Sequence, residues 1–380
     1  MKILLIGEYS RLHNSLKEGL IKLGHDVTLI GTGDGFKNYP VDIKVTSSFL
    51  SHPTLKFIAI VFDKLFRYNL VELEYYFKSK SILKQLNRYD VIQLINENSF
   101  KAHPKDEIRL IKQLQKLSNN LHLLSCGTDY ISVKYANDNK FRYSIITPLK
   151  EDSTLKKKYK YILKYISPSY KQLHQFIYKH ITGVSSSDMD YHIPLKQHPK
   201  YLGLIPNPIN VELLPFTPIS INDKIHIFHG VNLKNYIKKG NRFFDDALEI
   251  IQRKYAAQVN IIRVENIPYN HYITLYNKAH ILLDQVYAYD QGYNALEAMA
   301  KGKVVFTGAE QEWLDYYNLE QDTVAINALP NAEKIAEKLE YLILHPEKII
   351  EISKNARTFI EKEHDYINIA KQYIQCWTKK

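Results

Sequence analysis

Residues 281–308 read ILLDQVYAYDQGYNALEAMAKGKVVFTG, and the spacing of their apolar residues changes twice along the stretch. Continuous apolar runs at 281–283 and 304–306 predict two buried strands. Between them Asn294 can cap a helix over residues 295–300, where apolar side chains recur at helical spacing. The order strand, loop, helix, strand is typical of a parallel sheet, so we predict an α/β fold.

The loop 287–293 is predicted to lie at a ligand-binding edge. In open α/β sheets ligands bind beyond the carboxyl ends of the strands, where helix N-termini attract anions. Glu297 lies one turn into the following helix, so its carboxylate can accept two hydrogen bonds from a vicinal diol such as that of ribose. The alternative is a capping box formed by Asn294 and Glu297, because N-x-x-E is close to that pattern. Spacing alone leaves both interpretations open.

Residues 294–308, NALEAMAKGKVVFTG, resemble the donor-site signature of GT-B glycosyltransferases, especially family 4. The resemblance implies two Rossmann-like parallel-sheet domains that face a central cleft. In that family two glutamates are separated by seven residues; the second binds the ribose and corresponds to Glu297. The first lies beside the transferred sugar, and here that position is Tyr289, followed by Asp290. The chain therefore departs from the family at the residue that reads the sugar.

The loop after the predicted strand 225–228 contains the cations that the resemblance assigns to the donor diphosphate. Lys239 matches the lysine of the family, and Lys234 is the candidate for the missing arginine, since Val231 follows the glycine instead. Two cations near a helix N-terminus would stabilise the charge that develops on the departing diphosphate. The alternative is that both lysines are solvated loop residues.

The same resemblance suggests the remaining donor contacts. The loop that presents backbone groups to the nucleotide base would contain Ile267. The predicted contacts near the signature itself are Tyr289, Asp290, Gly292, Tyr293 and Asn294.

A chain of 380 residues is long enough for two domains of ordinary size. We expect an acceptor-side Rossmann-like domain over residues 1–205 and a nucleotide-sugar-binding domain over residues 206–365. The proline-punctuated run I-P-N-P at 205–208 resembles the linker between GT-B domains. As in the family, the last helix, 366–380, is expected to pack back on the first domain.

Two polar residues of the first domain are the candidates for the acceptor side. Asp129 follows the predicted strand 121–125 and a glycine, where a carboxylate can orient a hydroxyl; an N-cap role in the next helix is the alternative. His13, near the first loop, is the second candidate. The resemblance implies a hexosyltransferase that retains anomeric configuration without a metal, because the leaving phosphate helps to deprotonate the acceptor.

Two motifs of other nucleotide-binding enzymes are absent or misplaced. Residues 188–190 spell D-x-D, the metal motif of GT-A transferases, but the serines before them suit a helix start, so no metal is expected. Residues 7–10 lack the G-x-G-x-x-G that cradles a dinucleotide. We therefore expect no cofactor besides the nucleoside-diphosphate sugar, which is a co-substrate.

The formal net charge of +11 and pI near 9.2 favour anionic partners. A membrane surface is the first candidate, through the amphipathic stretch 57–77 and the basic, tyrosine-rich run 156–178; a solvated helix face is the alternative for the latter. No nucleic-acid recognition motif is present. Two cysteines and the lack of long apolar segments favour a cytoplasmic protein, peripheral on the inner face of the membrane.

The predicted function is sugar transfer to a hydroxyl of a glycan or lipid-linked acceptor, in the assembly of cell-surface polysaccharide or glycoconjugates. Two rival functions share the fold. One is a nucleotide-sugar epimerase, which needs no acceptor. The other is a non-catalytic scaffold subunit, which the departures at Tyr289 and Val231 would suit.

Overall fold

The computed structural model describes residues 1–34, 38–66 and 69–379. The chain forms two compact units, each built on a parallel sheet flanked by helices, which confirms the predicted α/β class. Unit 1 comprises residues 1–134, 160–208 and 366–380, and unit 2 comprises residues 135–159 and 209–365. The segment 135–159 therefore packs in unit 2, whereas the sequence-based division kept it in the first domain.

The strands are short and mostly buried, as expected of parallel strands covered on both faces. In unit 1 the order is β3-β2-β1-β4-β5-β6-β7, and in unit 2 it is β12-β11-β10-β8-β9. The strands are β1 Lys2–Ile6, β2 Asp26–Gly31, β3 Ile43–Lys44, β4 Val91–Leu94, β5 Leu121–Ser125, β6 Gly183–Ser186, β7 Tyr201–Leu204, β8 Ile225–Val231, β9 Val259–Glu265, β10 Ile281–Leu283, β11 Val304–Thr307 and β12 Ile326–Asn327.

Helices connect the strands and cover both sheets. They are α1 Leu12–Lys22, α2 Ser48–Ser51, α3 Pro53–Phe66, α4 Leu70–Leu83, α5 Pro104–Leu117, α6 Tyr130–Asn137, α7 Thr147–Glu151, α8 Lys156–Leu163, α9 Pro168–His180, α10 Met189–Leu195, α11 Asn241–Tyr255, α12 Tyr269–Lys278, α13 Tyr293–Ala300, α14 Gln311–Tyr317, α15 Ala332–Leu344, α16 Pro346–Glu363 and α17 Tyr366–Thr378. Among the described residues, no helix combines the length and apolarity needed to span a bilayer.

The stretch 57–77 is divided between two helices, α3 and α4. Asn69 starts α4, because its side chain accepts hydrogen bonds from the backbone N–H groups of Val71 and Glu72. Arg67 and Tyr68 lie outside the described residues, as does Lys380 of the predicted last helix.

Of the five tyrosines in the run 156–178, three are buried, whereas Tyr161 is 47% exposed. Tyr159, Tyr170 and Tyr178 are only 3%, 5% and 7% exposed. The lysines of this run are mostly exposed around those buried rings. The basic aromatic surface predicted from the sequence is therefore wrong for these three rings, since hydrophobic burial outweighs the polar tip of a tyrosine.

In unit 1, α17 packs against α1 and the first sheet. The two helices approach so closely at Gly19 that a Cβ there would lie 2.3 Å from the carbonyl oxygen of Tyr366. Trp377 is 3% exposed and donates its Nε1–H to Gln93 Oε1 at 3.0 Å. Its backbone oxygen accepts from Asn120 Nδ2 at 3.0 Å. Residues distant in sequence thus complete one core.

Candidate active site

Asp284 joins two of the predicted donor-binding residues of unit 2. It follows β10 directly, and its side chain is 2% exposed. Its Oδ1 accepts hydrogen bonds from Lys239 Nζ at 2.9 Å and from Asn294 Nδ2 at 2.9 Å. The sequence analysis did not name Asp284, although a charged residue directly after an apolar strand was a signal for it. The site is therefore a buried carboxylate that holds one cation and one amide.

The loop of Lys239 reaches this point because a glycine follows it. Gly240 has φ +70°, and a Cβ there would lie 2.8 Å from Val286 Cβ. The backbone N–H of Val286 donates to the carbonyl oxygen of Lys239 at 2.8 Å. This glycine therefore permits both the left-handed turn and the close approach of the loops after β8 and β10. Lys239 itself keeps 31% of its side chain exposed.

The helix α13 begins two residues earlier than predicted, which changes the role of Asn294. Gly292 is the N-cap residue, no side chain caps the helix, and Asn294 lies within its first turn. Asn294 Oδ1 instead accepts from the hydroxyl of Tyr272 at 3.3 Å. The predicted Asn294 cap, and the capping box with Glu297, are therefore wrong, because the amide is used in a tertiary contact. Glu297 lies half-buried one turn into α13, and its role as the ribose ligand stays a prediction.

A second polar group lies near the end of β8. His229 is 0% exposed, and its Nε2 lies 3.6 Å from Asp245 Oδ1. Burial lowers the pKa of His229 to about 4, so the ring is neutral at pH 7. Asp245 also accepts from Arg263 Nε at 2.6 Å and from the Tyr236 hydroxyl at 2.8 Å. Arg263 is thus a cation of this region that the sequence analysis missed, since its position on β9 matches no motif.

Tyr289, at the position that the resemblance to GT-B enzymes assigns to the sugar, is held by the segment 135–159. Its side chain is buried, and its hydroxyl accepts from the backbone N–H of Arg142 at 2.9 Å. The Arg142 guanidinium lies 4.8 Å from the centre of the Tyr289 ring, within cation–π distance. The same guanidinium pairs with Glu310 at 2.8 Å and Glu312 at 2.6 Å. No sequence pattern indicated this contact, because it joins residues far apart in the chain.

Glu310 is the buried partner in this group. Its side chain is 9% exposed and accepts from Asn327 Nδ2 at 2.8 Å and from the Tyr143 hydroxyl. Its own backbone N–H donates to the carbonyl oxygen of Tyr289 at 3.1 Å. The neighbouring Asp290 is 8% exposed. Glu310, in the loop after β11, therefore ties the loop after β10 and the end of β12 to the segment 135–159.

The remaining donor candidates occupy more exposed positions. Lys234 is exposed, and its backbone N–H donates to Asn232 Oδ1 at 3.0 Å. Ile267 is half-buried between β9 and α12, after Asn266 with φ +47°. Tyr293 is the first, half-buried residue of α13. Their contacts with a donor stay predictions.

In unit 1, Asp129 supports a helix start. It is 1% exposed, and its Oδ1 accepts from the backbone N–H of Ser132 at 2.8 Å. The other carboxylate oxygen accepts from the Ser125 hydroxyl. This geometry favours the N-cap alternative for Asp129, and its role toward an acceptor stays a prediction.

His13, the other acceptor-side candidate, is fully buried in unit 1. Its Nδ1 donates to the carbonyl oxygen of Gly7 at 2.8 Å, because that oxygen can only accept. Its Nε2 lies 3.4 Å from Gln93 Nε2 and therefore acts as an acceptor. Burial lowers the pKa of His13 to about 4. His13 is therefore a neutral ring at pH 7, held on both sides by protein groups.

We predict that His13 makes the protein sensitive to acid. The pKa of His13 is lower in the folded state than the ordinary 6.5, so its contribution is present above pH 6.5 and is lost as the pH falls toward 4. Between pH 7 and pH 5 it should lower the unfolding free energy by about 2 kcal/mol. Urea unfolding of His13→Gln should show a correspondingly weaker dependence on pH. The exposed His271→Gln is the control, and equal pH dependence in both variants would contradict the prediction.

The sequence and the structure of this chain are similar to those of known glycosyltransferases. Residues 232–375 match the family model described as glycosyl transferase-like. No curated protein matches the sequence. Among solved structures, sucrose-phosphate synthase from Thermosynechococcus elongatus is similar, with a TM-score of 0.63 and 14% identity, over 99% of this chain and 98% of that one. The chain has the GT-B fold.

Two further solved structures are similar to this chain. Anabaena HepE, solved in complex with UDP-glucose, has a TM-score of 0.58 and 12% identity over 99% of this chain and 98% of its own. A putative UDP-N-acetylglucosamine 2-epimerase from Listeria monocytogenes has a TM-score of 0.55 and 10% identity over 98% of this chain and 95% of its own. At such identities the similarity establishes the GT-B fold alone.

Proposed function

We propose that the protein is a glycosyltransferase that moves a sugar from a nucleoside-diphosphate sugar to a hydroxyl of a glycan or lipid-linked acceptor. The observation that carries this proposal is the meeting of Lys239 and Asn294 at Asp284, at the carboxyl ends of β8 and β10. That edge is where open parallel sheets bind nucleotides. It also lies within residues 232–375, which match the glycosyl transferase-like model. The UDP-glucose complex of HepE makes UDP-glucose the first donor to test.

The chemistry we propose is electrostatic. Lys239, which Asp284 orients, would hold the diphosphate and stabilise the charge that grows as the glycosidic bond breaks. Glu297 would accept hydrogen bonds from the ribose diol. The leaving phosphate would accept the acceptor proton on the same face of the sugar, which gives retention without a metal. We further propose a cytoplasmic role in the assembly of cell-surface polysaccharide or glycoconjugates.

A nucleotide-sugar epimerase is the second candidate, favoured by the similarity to the Listeria structure. It would act on the donor alone, whereas a transferase consumes donor only when an acceptor hydroxyl accepts the sugar. The two reactions therefore differ in their need for an acceptor.

The test is to incubate the protein with UDP-sugars, with and without a panel of glycan and lipid-linked acceptors, in the presence of a chelator. We expect a glycosylated product and free UDP only with an acceptor, with the anomeric configuration retained by NMR. Epimerised donor without acceptor would favour the second candidate. Activity that requires added manganese would contradict metal independence, and tight donor binding with no product from any acceptor would favour a scaffold subunit.

Replacing Glu297 with glutamine should weaken donor binding. The ribose does not change during the reaction, so the loss should appear in the ground state and transition state alike, mainly in KM. We expect the Kd for free UDP, measured by calorimetry, to rise about tenfold, because a charged acceptor is lost. Glu333→Gln, an exposed acid in the first turn of α15, is the matched control. An unaltered Kd in Glu297→Gln would mean that this carboxylate does not bind ribose.

A further inference from the structure

We propose that α3 is a membrane-docking helix that lies in the surface of an anionic bilayer with its exposed apolar side toward the lipid. The helix, Pro53–Phe66, reads PTLKFIAIVFDKLF. Its large apolar side chains are exposed to an extent unusual for a soluble protein: Phe57 67%, Ile58 50%, Ile60 47%, Val61 37% and Leu65 69%. Docking of this helix would not require the transferase reaction.

The exposed apolar residues of α3 share one side of the helix. At 100° per residue, Phe57, Ile58, Ile60, Val61 and Leu65 fall within an arc of about 160°. The opposite side carries Ala59, which is only 8% exposed. A surface helix of a soluble protein normally has the reverse arrangement, with polar residues outward. The outward side of α3 is therefore suited to an apolar surrounding.

The charges on α3 favour lipid over protein as that surrounding. Lys64 lies within the apolar arc and Lys56 at its margin, and both are exposed. A lysine can keep its stem in the apolar boundary while its ammonium reaches lipid phosphate. A protein partner would have to bury Lys64 against a carboxylate of its own. A second copy would need an acidic group opposite Lys64, and the exposed Asp63 of this helix lies about 60° outside the apolar arc.

The net charge of the whole chain agrees with this choice of partner. The formal charge is +11, so a surface rich in anionic lipid attracts the protein before the helix inserts. This attraction is screened over about 8 Å at physiological salt. Binding should therefore need both components, with anionic headgroups for attraction and the apolar side chains for insertion.

The test is co-sedimentation of the full-length protein with vesicles of phosphatidylglycerol and phosphatidylcholine, compared with phosphatidylcholine alone. We expect binding to the anionic vesicles that falls steeply with salt. The double variant Phe57→Ser, Leu65→Ser should lower the partition coefficient about tenfold or more, because two exposed apolar side chains no longer enter the lipid. The matched control is Leu213→Ser, Leu344→Ser, whose side chains are 57% and 58% exposed in unit 2.

Three results would overturn the proposal: equal binding to neutral and anionic vesicles, equal binding of the double variant and the parent protein, or a lipid-free dimer that the double variant dissociates. The last would mean that a second copy covers the helix. Amide hydrogen exchange of residues 53–66 can be measured in the parent protein and therefore needs no substitution. The exchange of these amides should slow with anionic vesicles and not with neutral ones. Transferase activity on a soluble acceptor should be the same in both double variants, so a failure of docking and a failure of the proposed reaction are distinguishable.

Discussion

Replacing Lys239 with alanine is expected to lower kcat about 100-fold or more, because its ammonium would face the charge that develops on the leaving diphosphate. The variant should bind free UDP with a much smaller change in affinity, since the contact strengthens as the bond breaks. Lys239→Arg keeps the charge but alters its geometry, and should recover part of the rate. Steady-state kinetics and calorimetry with UDP provide the two measurements.

The structure adds a requirement to this experiment. Lys239 and Asn294 both donate hydrogen bonds to the buried carboxylate of Asp284. The alanine variant removes the lysine, which carries the neutralising charge, and leaves only the amide of Asn294 from these two donors. The thermal midpoint must therefore be measured together with the rate, and a double variant Lys239→Ala, Asp284→Asn removes the unpaired charge. A rate restored by that second change would contradict a direct role for Lys239. Lys254→Ala, an exposed lysine paired with Glu340, is the control for loss of charge.

Replacing Glu310 with alanine is expected to lower the stability of unit 2 by about 2 to 3 kcal/mol. The variant leaves Asn327 Nδ2 and the Tyr143 hydroxyl without their buried acceptor. The ion pair with Arg142 adds little, because the arginine side chain is 51% exposed.

The control for Glu310 is Glu312→Ala, since Glu312 pairs with the same arginine but is 36% exposed. Its loss should cost below about 1 kcal/mol. The chain has two tryptophans, of which Trp313 lies in unit 2 and Trp377 in unit 1. In a Trp377→Phe background, fluorescence during urea unfolding therefore reports unit 2. An equal loss of unfolding free energy in Glu310→Ala and Glu312→Ala would contradict the prediction, because it would mean that the buried glutamate contributes no more stability than the exposed one.

The elements that the sequence predicted well are those decided by local pattern. The apolar runs of β10 and β11 correctly predicted buried strands, and the helical spacing between them predicted α13. The resemblance to GT-B enzymes then gave the fold of the two sheets. Cap positions were less certain, because Gly292 and Asn294 compete within one turn and a contact with Asp284 decides between them.

The contacts that the sequence could not predict depend on register and on distant segments. Asp284 meets Lys239 because Leu283 pairs with His229 across β10 and β8, and no local signal sets that register. The contact of Arg142 with Tyr289 joins residues from different parts of the chain and follows no spacing rule. The exposure predicted for the buried tyrosines near α8 and α9 was wrong for a related reason. Tyrosine occurs both on surfaces and in cores, so its presence alone does not decide between them.

The packing of α17 on α1 also bears on how the protein is made. Unit 1 takes residues from 1–134 and from 366–380, and Gly19 fits closely against Tyr366. During synthesis the ribosome must add residues 209–365 before α17 exists, which at 5 to 20 residues per second takes about 8 to 31 seconds. Throughout that interval the groove over α1 has no helix to fill it, whereas unit 2 has all of its residues once 365 emerges. The nascent chain therefore acquires the last residues of unit 2 before those of unit 1, and the side of α1 that α17 covers is exposed until then.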